Sequence, residues 1–101
     1  MVTRVSIGWF EPSRSEEVAT MLHESQKSLR PAITKLKGNK YYFVGLDRQK
    51  GAMTNTSIWE TLEDAQQMAT LPEMLALREK FEALNVAFNP ITNHEELWVI
   101  E

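Results

Sequence analysis

Four strand-like runs, separated by two helical stretches in the order β-α-β-β-α-β, limit this chain more than anything else in its sequence. The first run, residues 3–10, alternates Val5, Ile7 and Trp9 on one face with Arg4, Ser6 and Gly8 on the other, small or long-stemmed residues that leave room. The second, residues 40–47, sets Tyr41, Phe43 and Gly45 against Tyr42, Val44 and Leu46. The third covers residues 52–60. The last is expected over residues 93–101, where Leu97 and Val99 alternate with Trp98 and Ile100. This order folds naturally as an α+β ferredoxin-like unit, a four-stranded antiparallel sheet with two helices on one face. Two layers leave the other sheet face bare, yet large apolar and aromatic side chains fall on both sides of the strands. A solvated face would be polar at alternate positions. A second copy of the chain covering the open face, a homodimer, is the simplest remedy.

The helical stretches carry their own punctuation. Val18, Met21, Leu22, Ser25 and Leu29 recur at helical spacing, which predicts a helix over residues 15–29, capped by Ser13 or Ser15 and stopped by Pro31. Arg48-Gln49-Lys50-Gly51 reads as a hairpin turn. Thr61 is a cap for a short helix over residues 62–69, and Leu71-Pro72 opens another whose apolar stripe is Met74, Leu77, Phe81 and Leu84, with Asn85 as its stop.

At 101 residues, 43% hydrophobic and 25% charged, the chain has the composition of a soluble globular protein of one domain, residues 1–101. A net charge of −3 argues against a nucleic-acid partner, which requires clustered Lys and Arg. The absence of cysteine excludes disulfides, thiolate catalysis and cysteine-based metal sites, and the two histidines, His23 and His94, are too isolated for a metal site. No stretch approaches a membrane span and no apolar leader opens the sequence, so a cytoplasmic location without membrane contact is expected.

The segment Thr54-Asn55-Thr56-Ser57-Ile58-Trp59-Glu60-Thr61 carries the chemistry. Alternation places Asn55, Ser57 and Trp59 on one face where the strand gives way to a helix. An amide, a hydroxyl and an indole side by side can orient a flat molecule with polar edges; they equally serve as core residues with satisfied hydrogen bonds. Arg78 is placed to support an anion, though Glu82 four residues on offers it a surface partner. Tyr41 and Tyr42 lie on opposite faces, so at most one reaches a pocket between sheet and helices. Met74 fills irregular core space or borders that pocket.

Strand order, the Ser57-Ile58-Trp59-Glu60-Thr61 segment, the break at Leu71-Pro72 and the Glu95-Glu96-Leu97-Trp98 strand together resemble the antibiotic-biosynthesis-monooxygenase-like domains of the dimeric α+β barrel superfamily. The resemblance covers almost the whole chain. It implies a homodimer with the two sheets face to face, and a pocket between sheet and helices in each subunit. Cofactor-independent members oxidise polycyclic phenols without metal or flavin and carry an Asn and a Trp four apart on the third strand, the spacing of Asn55 and Trp59. They also use a Tyr and an Arg from the following helical region. Arg78 is near enough for the second, but no Tyr follows Thr61. Haem-degrading members use Asn, Trp and His at positions that here fall on Ser6, Gln67 and Leu77, so a haem function is rejected. The resemblance thus implies a cofactor-free monooxygenase for a small aromatic or polyketide-like phenol, with Asn55, Trp59 and Arg78 as catalytic residues and Ser57 and Met74 in the ligand pocket. The alternative is a non-catalytic homodimer that binds a ligand or serves a structural role on the same fold.

Overall fold

The computed structural model describes all 101 residues. Its elements in chain order are β1 (Val2–Trp9), α1 (Ser15–Thr34), β2 (Asn39–Asp47), β3 (Ala52–Trp59), α2 (Leu62–Gln66), α3 (Pro72–Ala83), β4 (Ala87–Phe88) and β5 (Thr92–Glu95), with 3-10 turns at Pro12–Arg14 and Gln67–Thr70. The sheet is antiparallel throughout and runs β2-β3-β1, with β4 and β5 both along the far side of β1. It is the expected ferredoxin-like layout, with the last strand in two pieces. Asn89-Pro90 separates them: Asn89 N–H still donates to the Ile7 carbonyl at 2.9 Å, whereas Pro90 has no N–H to offer.

Three features depart from expectation. Helix α1 passes through Pro31 and ends at Thr34. The stripe explains this, because Ile33, four residues beyond Leu29, is buried against the core and holds the last turn in place. Thr34 Oγ1 adds a 2.7 Å bond to the Arg30 carbonyl. Ser15 does not cap α1; its hydroxyl donates to the carbonyls of Pro12 and Arg48, tying the helix start to the β2–β3 turn. The final ladder ends at Glu95, not at residue 101; Glu96 N–H makes the last bond, to the Met1 carbonyl, and residues 97–101 pair with no strand.

Other signals hold. Thr61 Oγ1 caps α2 by accepting from Asp64 N–H at 3.0 Å, Pro72 sits in the first turn of α3, and Asn85 takes the left-handed conformation (φ 63°) after its end. Asp47 Oδ1 accepts from the N–H groups of Gln49 and Lys50 in the hairpin turn. Gly51 closes that turn at φ +72°, and its carbonyl accepts from Phe10 N–H at 2.8 Å. A Cβ there would stand 2.1 Å from the Phe10 carbonyl oxygen, so only glycine fits.

The core lies between the helices and one sheet face, around Trp59, Phe81, Met53 and Val18, all essentially inaccessible to solvent. Register sorts the side chains. Met53, Asn55, Ser57 and Trp59 of β3 face the helices, opposite Gly8, Ser6, Arg4 and Val2 of β1. The other sheet face carries Val5, Ile7, Trp9, Tyr41, Phe43 and Ile58 with no layer over it; Trp9, Tyr41 and Phe43 are exposed. Phe81 joins α3 to the sheet and meets the Phe88 ring edge-on, centroids 6.5 Å apart. Phe81→Ala should therefore cost about 3–5 kcal/mol of stability, measured by urea unfolding.

Candidate functional site

A cavity of about 50 Å³ opens between the sheet and α3, and its walls follow from the alternation of the strands. β1 supplies Arg4 and Ser6, β2 supplies Tyr42, and β3 supplies Asn55 and Ser57. Met74, Leu77 and Arg78 of α3 form the opposite wall, with Met68, Phe81, Phe88 and Ile91 closing the sides. Small or polar side chains at the centre of the sheet leave the space unfilled. Gly8 marks how close the packing is at one end, since a Cβ there would approach Val86 and Phe88 side chains to under 3 Å.

The hydrogen bonds aim the polar groups. Tyr42 Oη donates to Asn55 Oδ1 at 3.2 Å, which fixes the amide and leaves its NH₂ as a free donor. Trp59 Nε1 donates to Ser57 Oγ at 2.8 Å, and the Ser57 hydroxyl can still donate in turn. Trp59 itself is fully buried and does not line the cavity. It acts on the space only through Ser57.

Two guanidinium groups border the cavity and no carboxylate does. Arg78 Nε lies 3.6 Å from Glu82 on the helix surface, and its guanidinium sits 4.8 Å over the Phe88 ring. Arg4 enters none of the chain's ion pairs. Burial lowers its pKa from the ordinary value, yet an arginine keeps its charge at neutral pH. A partly desolvated cation without a counter-ion, beside an amide and hydroxyl donors, is suited to hold a small anion.

Of the residues expected at a site, Asn55, Ser57, Met74 and Arg78 meet at this cavity, and Trp59 stands behind it. Arg4, Ser6 and Tyr42 are added by the structure. Their signal was the even-numbered face of β1 and β2, which shares its side with Asn55 of β3. His94 lies elsewhere, on the uncovered sheet face and 2.8 Å from Thr92 Oγ1. Tyr42 also borders a second space, a groove between α1 and the outer edge of β2.

Burial pushes the Tyr42 phenol well above its usual pKa. The folded protein therefore binds this proton more tightly than the unfolded chain. Tyr42 contributes its full stability below the unfolded value of about 10, and the contribution is lost as pH rises past it. Urea titrations at stepped alkaline pH should show stability falling less steeply in Tyr42→Phe than in wild type.

The sequence matches no family model and no curated protein. Solved structures do match over nearly full length. A candidate antibiotic biosynthesis monooxygenase from Deinococcus radiodurans superposes with a TM-score of 0.76 at 21% identity, covering 100% of this chain and 97% of its own. One from Nitrosomonas europaea gives 0.74 at 12%, covering 97% and 100%. SnoaB, a cofactor-independent oxygenase from Streptomyces nogalater, gives 0.70 at 12%, covering 98% and 95%. At such identities the likeness is one of fold, and the chain has the ferredoxin-like α+β fold of the antibiotic-biosynthesis-monooxygenase-like proteins.

Proposed function

We propose that residues 1–101 form one antibiotic-biosynthesis-monooxygenase-like domain, a cytoplasmic homodimer that binds the anion of a small electron-rich phenol and oxidises it with O₂, without metal or flavin. The observation that carries this reading is the cavity wall itself: two guanidinium groups, an oriented amide and a hydroxyl, with no carboxylate among them. Such a wall stabilises a phenolate or enolate by preorganised donors. Asn55 and Arg78 would contact the anionic oxygen, Arg4 would add to the field, and Trp59 would position Ser57. No histidine or carboxylate lines the cavity, so the substrate loses its proton to solvent under the pull of the positive wall.

In that chemistry the substrate carbanion is the only reductant. It passes one electron to O₂, the resulting pair combines at carbon as a hydroperoxide, and loss of water leaves a carbonyl. One oxygen atom enters the product and the other leaves in water. The cavity volume favours a single-ring phenol or hydroquinone over a polycyclic one, admitted by movement of Met68 and Met74, whose flexible side chains adapt easily.

Oxygen uptake with single-ring hydroquinones tests this reading. Asn55→Ala should lower kcat/KM about 10²-fold, Arg4→Gln should weaken binding of the anion, and Trp59→Phe should act less strongly than either. Saturable binding of these phenols without oxygen uptake would instead establish a non-catalytic binding protein, which the absence of a general base in the wall also supports. If neither uptake nor binding occurs, the site assignment fails.

The uncovered face of the sheet supports the homodimer. Trp9, Tyr41 and Phe43 project from it beside Val5, Ile7 and Ile58, a contiguous apolar surface that a second copy would bury. Sedimentation should give twice the chain mass for wild type and the chain mass for Phe43→Asp.

A further inference from the structure

The cavity wall is positively charged at two places along β1. On the face toward the helices Arg4 pairs with Ser57, Ser6 with Asn55, and Gly8 with Phe88. The Phe88 ring sits over Gly8, less than 3 Å from where a Cβ would stand, and the Arg78 guanidinium lies 4.8 Å over that ring. The charge of Arg78 therefore belongs to the Gly8 end. Arg4 leaves the backbone four residues earlier, about 13 Å back along the strand. Ser6 and Asn55 stand between the two, and all four polar side chains border the same cavity.

The two cations differ in how their charge is met. Arg78 has Glu82 at 3.6 Å, and a phenolate beside Asn55 adds to that pairing. Arg4 has no acid in any ion pair of the chain and no aromatic ring in its cation–π contact, although burial draws it partly out of solvent. A charge held in this way carries a cost that a bound counter-ion removes. One phenolate oxygen cannot be that counter-ion as well. Asn55 and Ser57 are successive residues on one face of β3, about 7 Å apart, so an oxygen held by the amide leaves the Arg4–Ser57 end empty. A benzene ring with a second acidic group meta or para to the first spans that step. The end itself has the donors a carboxylate takes: the planar fork of Arg4 and the Ser57 hydroxyl, which accepts from Trp59 Nε1 at 2.8 Å and keeps its own proton to give.

We propose that the ligand of this cavity is a hydroquinone carrying a carboxylate meta or para to the ionising hydroxyl, with Arg4 and Ser57 holding the carboxylate while Asn55 and Arg78 hold the phenolic oxygen. Arg4 is then the residue that selects among phenols, and it does so away from the oxygen that ionises. The carboxylate also gives the ring a direction. It draws one end of the ligand to the start of β1 and leaves the reactive oxygen toward Phe88, whereas a hydroquinone without it lies equally well either way round. Neutral phenols lose both the pairing and the orientation, and so bind more weakly.

This substrate class rests on the phenol site proposed above, and a matched pair of ligands separates the two. 2,5-Dihydroxybenzoate and its methyl ester share the ring and both hydroxyls and differ in the charge of the carboxyl group. At about pH 6 the carboxylate is ionised and the hydroxyls are protonated, so calorimetric binding under nitrogen reads the carboxylate alone. The wild type should bind the acid at least about tenfold more tightly than the ester. Arg4→Gln should erase that preference, Arg4→Lys should keep part of it, and Asn55→Ala should weaken both ligands while leaving their ratio. Arg4 has no ion-pair partner to lose, so its variants should keep the wild-type urea midpoint. Equal binding of acid and ester by the wild type, or a preference that survives in Arg4→Gln, overturns the carboxylate pocket and leaves the phenol site standing. Binding of neither compound overturns both. An Arg4-dependent preference for the acid without oxygen uptake upholds the carboxylate pocket and overturns only the oxidation.

Discussion

The site depends on what the central strand turns toward the helices. β1 lies between β3 and the β4–β5 edge, where a sheet would ordinarily present its bulkiest apolar side chains to the helical layer. Instead it sends Val5, Ile7 and Trp9 to the uncovered face and Arg4, Ser6 and Gly8 inward. Trp59, Met53 and Phe81 fill the core around this gap and leave the middle open. Close packing elsewhere is what keeps that opening from collapsing. The same choice sets the needs of the outer face, since the apolar residues displaced from the core side are what a second subunit would bury.

The polar groups in the opening are ordered by partners behind them. Tyr42 turns the Asn55 amide and Trp59 turns the Ser57 hydroxyl, both through bonds among residues facing the helices on adjacent or same strands. Donors held in this way need little reorganisation when an anion arrives. Arg78 is held by Glu82 on the helix surface and by the Phe88 ring at the side of the opening, whereas Arg4 is held by neither acid nor ring in the ion pairs and cation–π contacts of the chain. The two cations therefore differ in freedom as well as in position.

Much of this was legible in the sequence because alternation and capping are local. Strand faces, the Thr61 cap, the Pro72 helix start and the Asn85 stop depend on a few neighbouring residues, and each appears where expected. What was not legible depends on distant partners. Pro31 signals a stop, and only the burial of Ile33 against the core shows why the helix continues. Trp59 reads as a ligand-orienting residue beside Asn55 and Ser57, but its depth is set by helices distant from it in sequence. Arg4 reads only as a long-stemmed residue on a face that leaves room, because its lack of a counter-ion is visible only when all strands are assembled. Residues 93–101 read as one strand by composition, and the structure pairs them along β1 only as far as Glu95, with one further bond from Glu96 N–H.

Tyr42 stands at the boundary of two spaces, with the cavity on one side and the α1–β2 groove on the other. Its side chain is therefore a wall common to both. An occupant of the groove that turned the Tyr42 ring would also turn the Asn55 amide bonded to it, and by linkage a cavity ligand that fixed that amide would bear on the groove to the same degree. One phenol thus gives the edge of the sheet and its interior a wall in common.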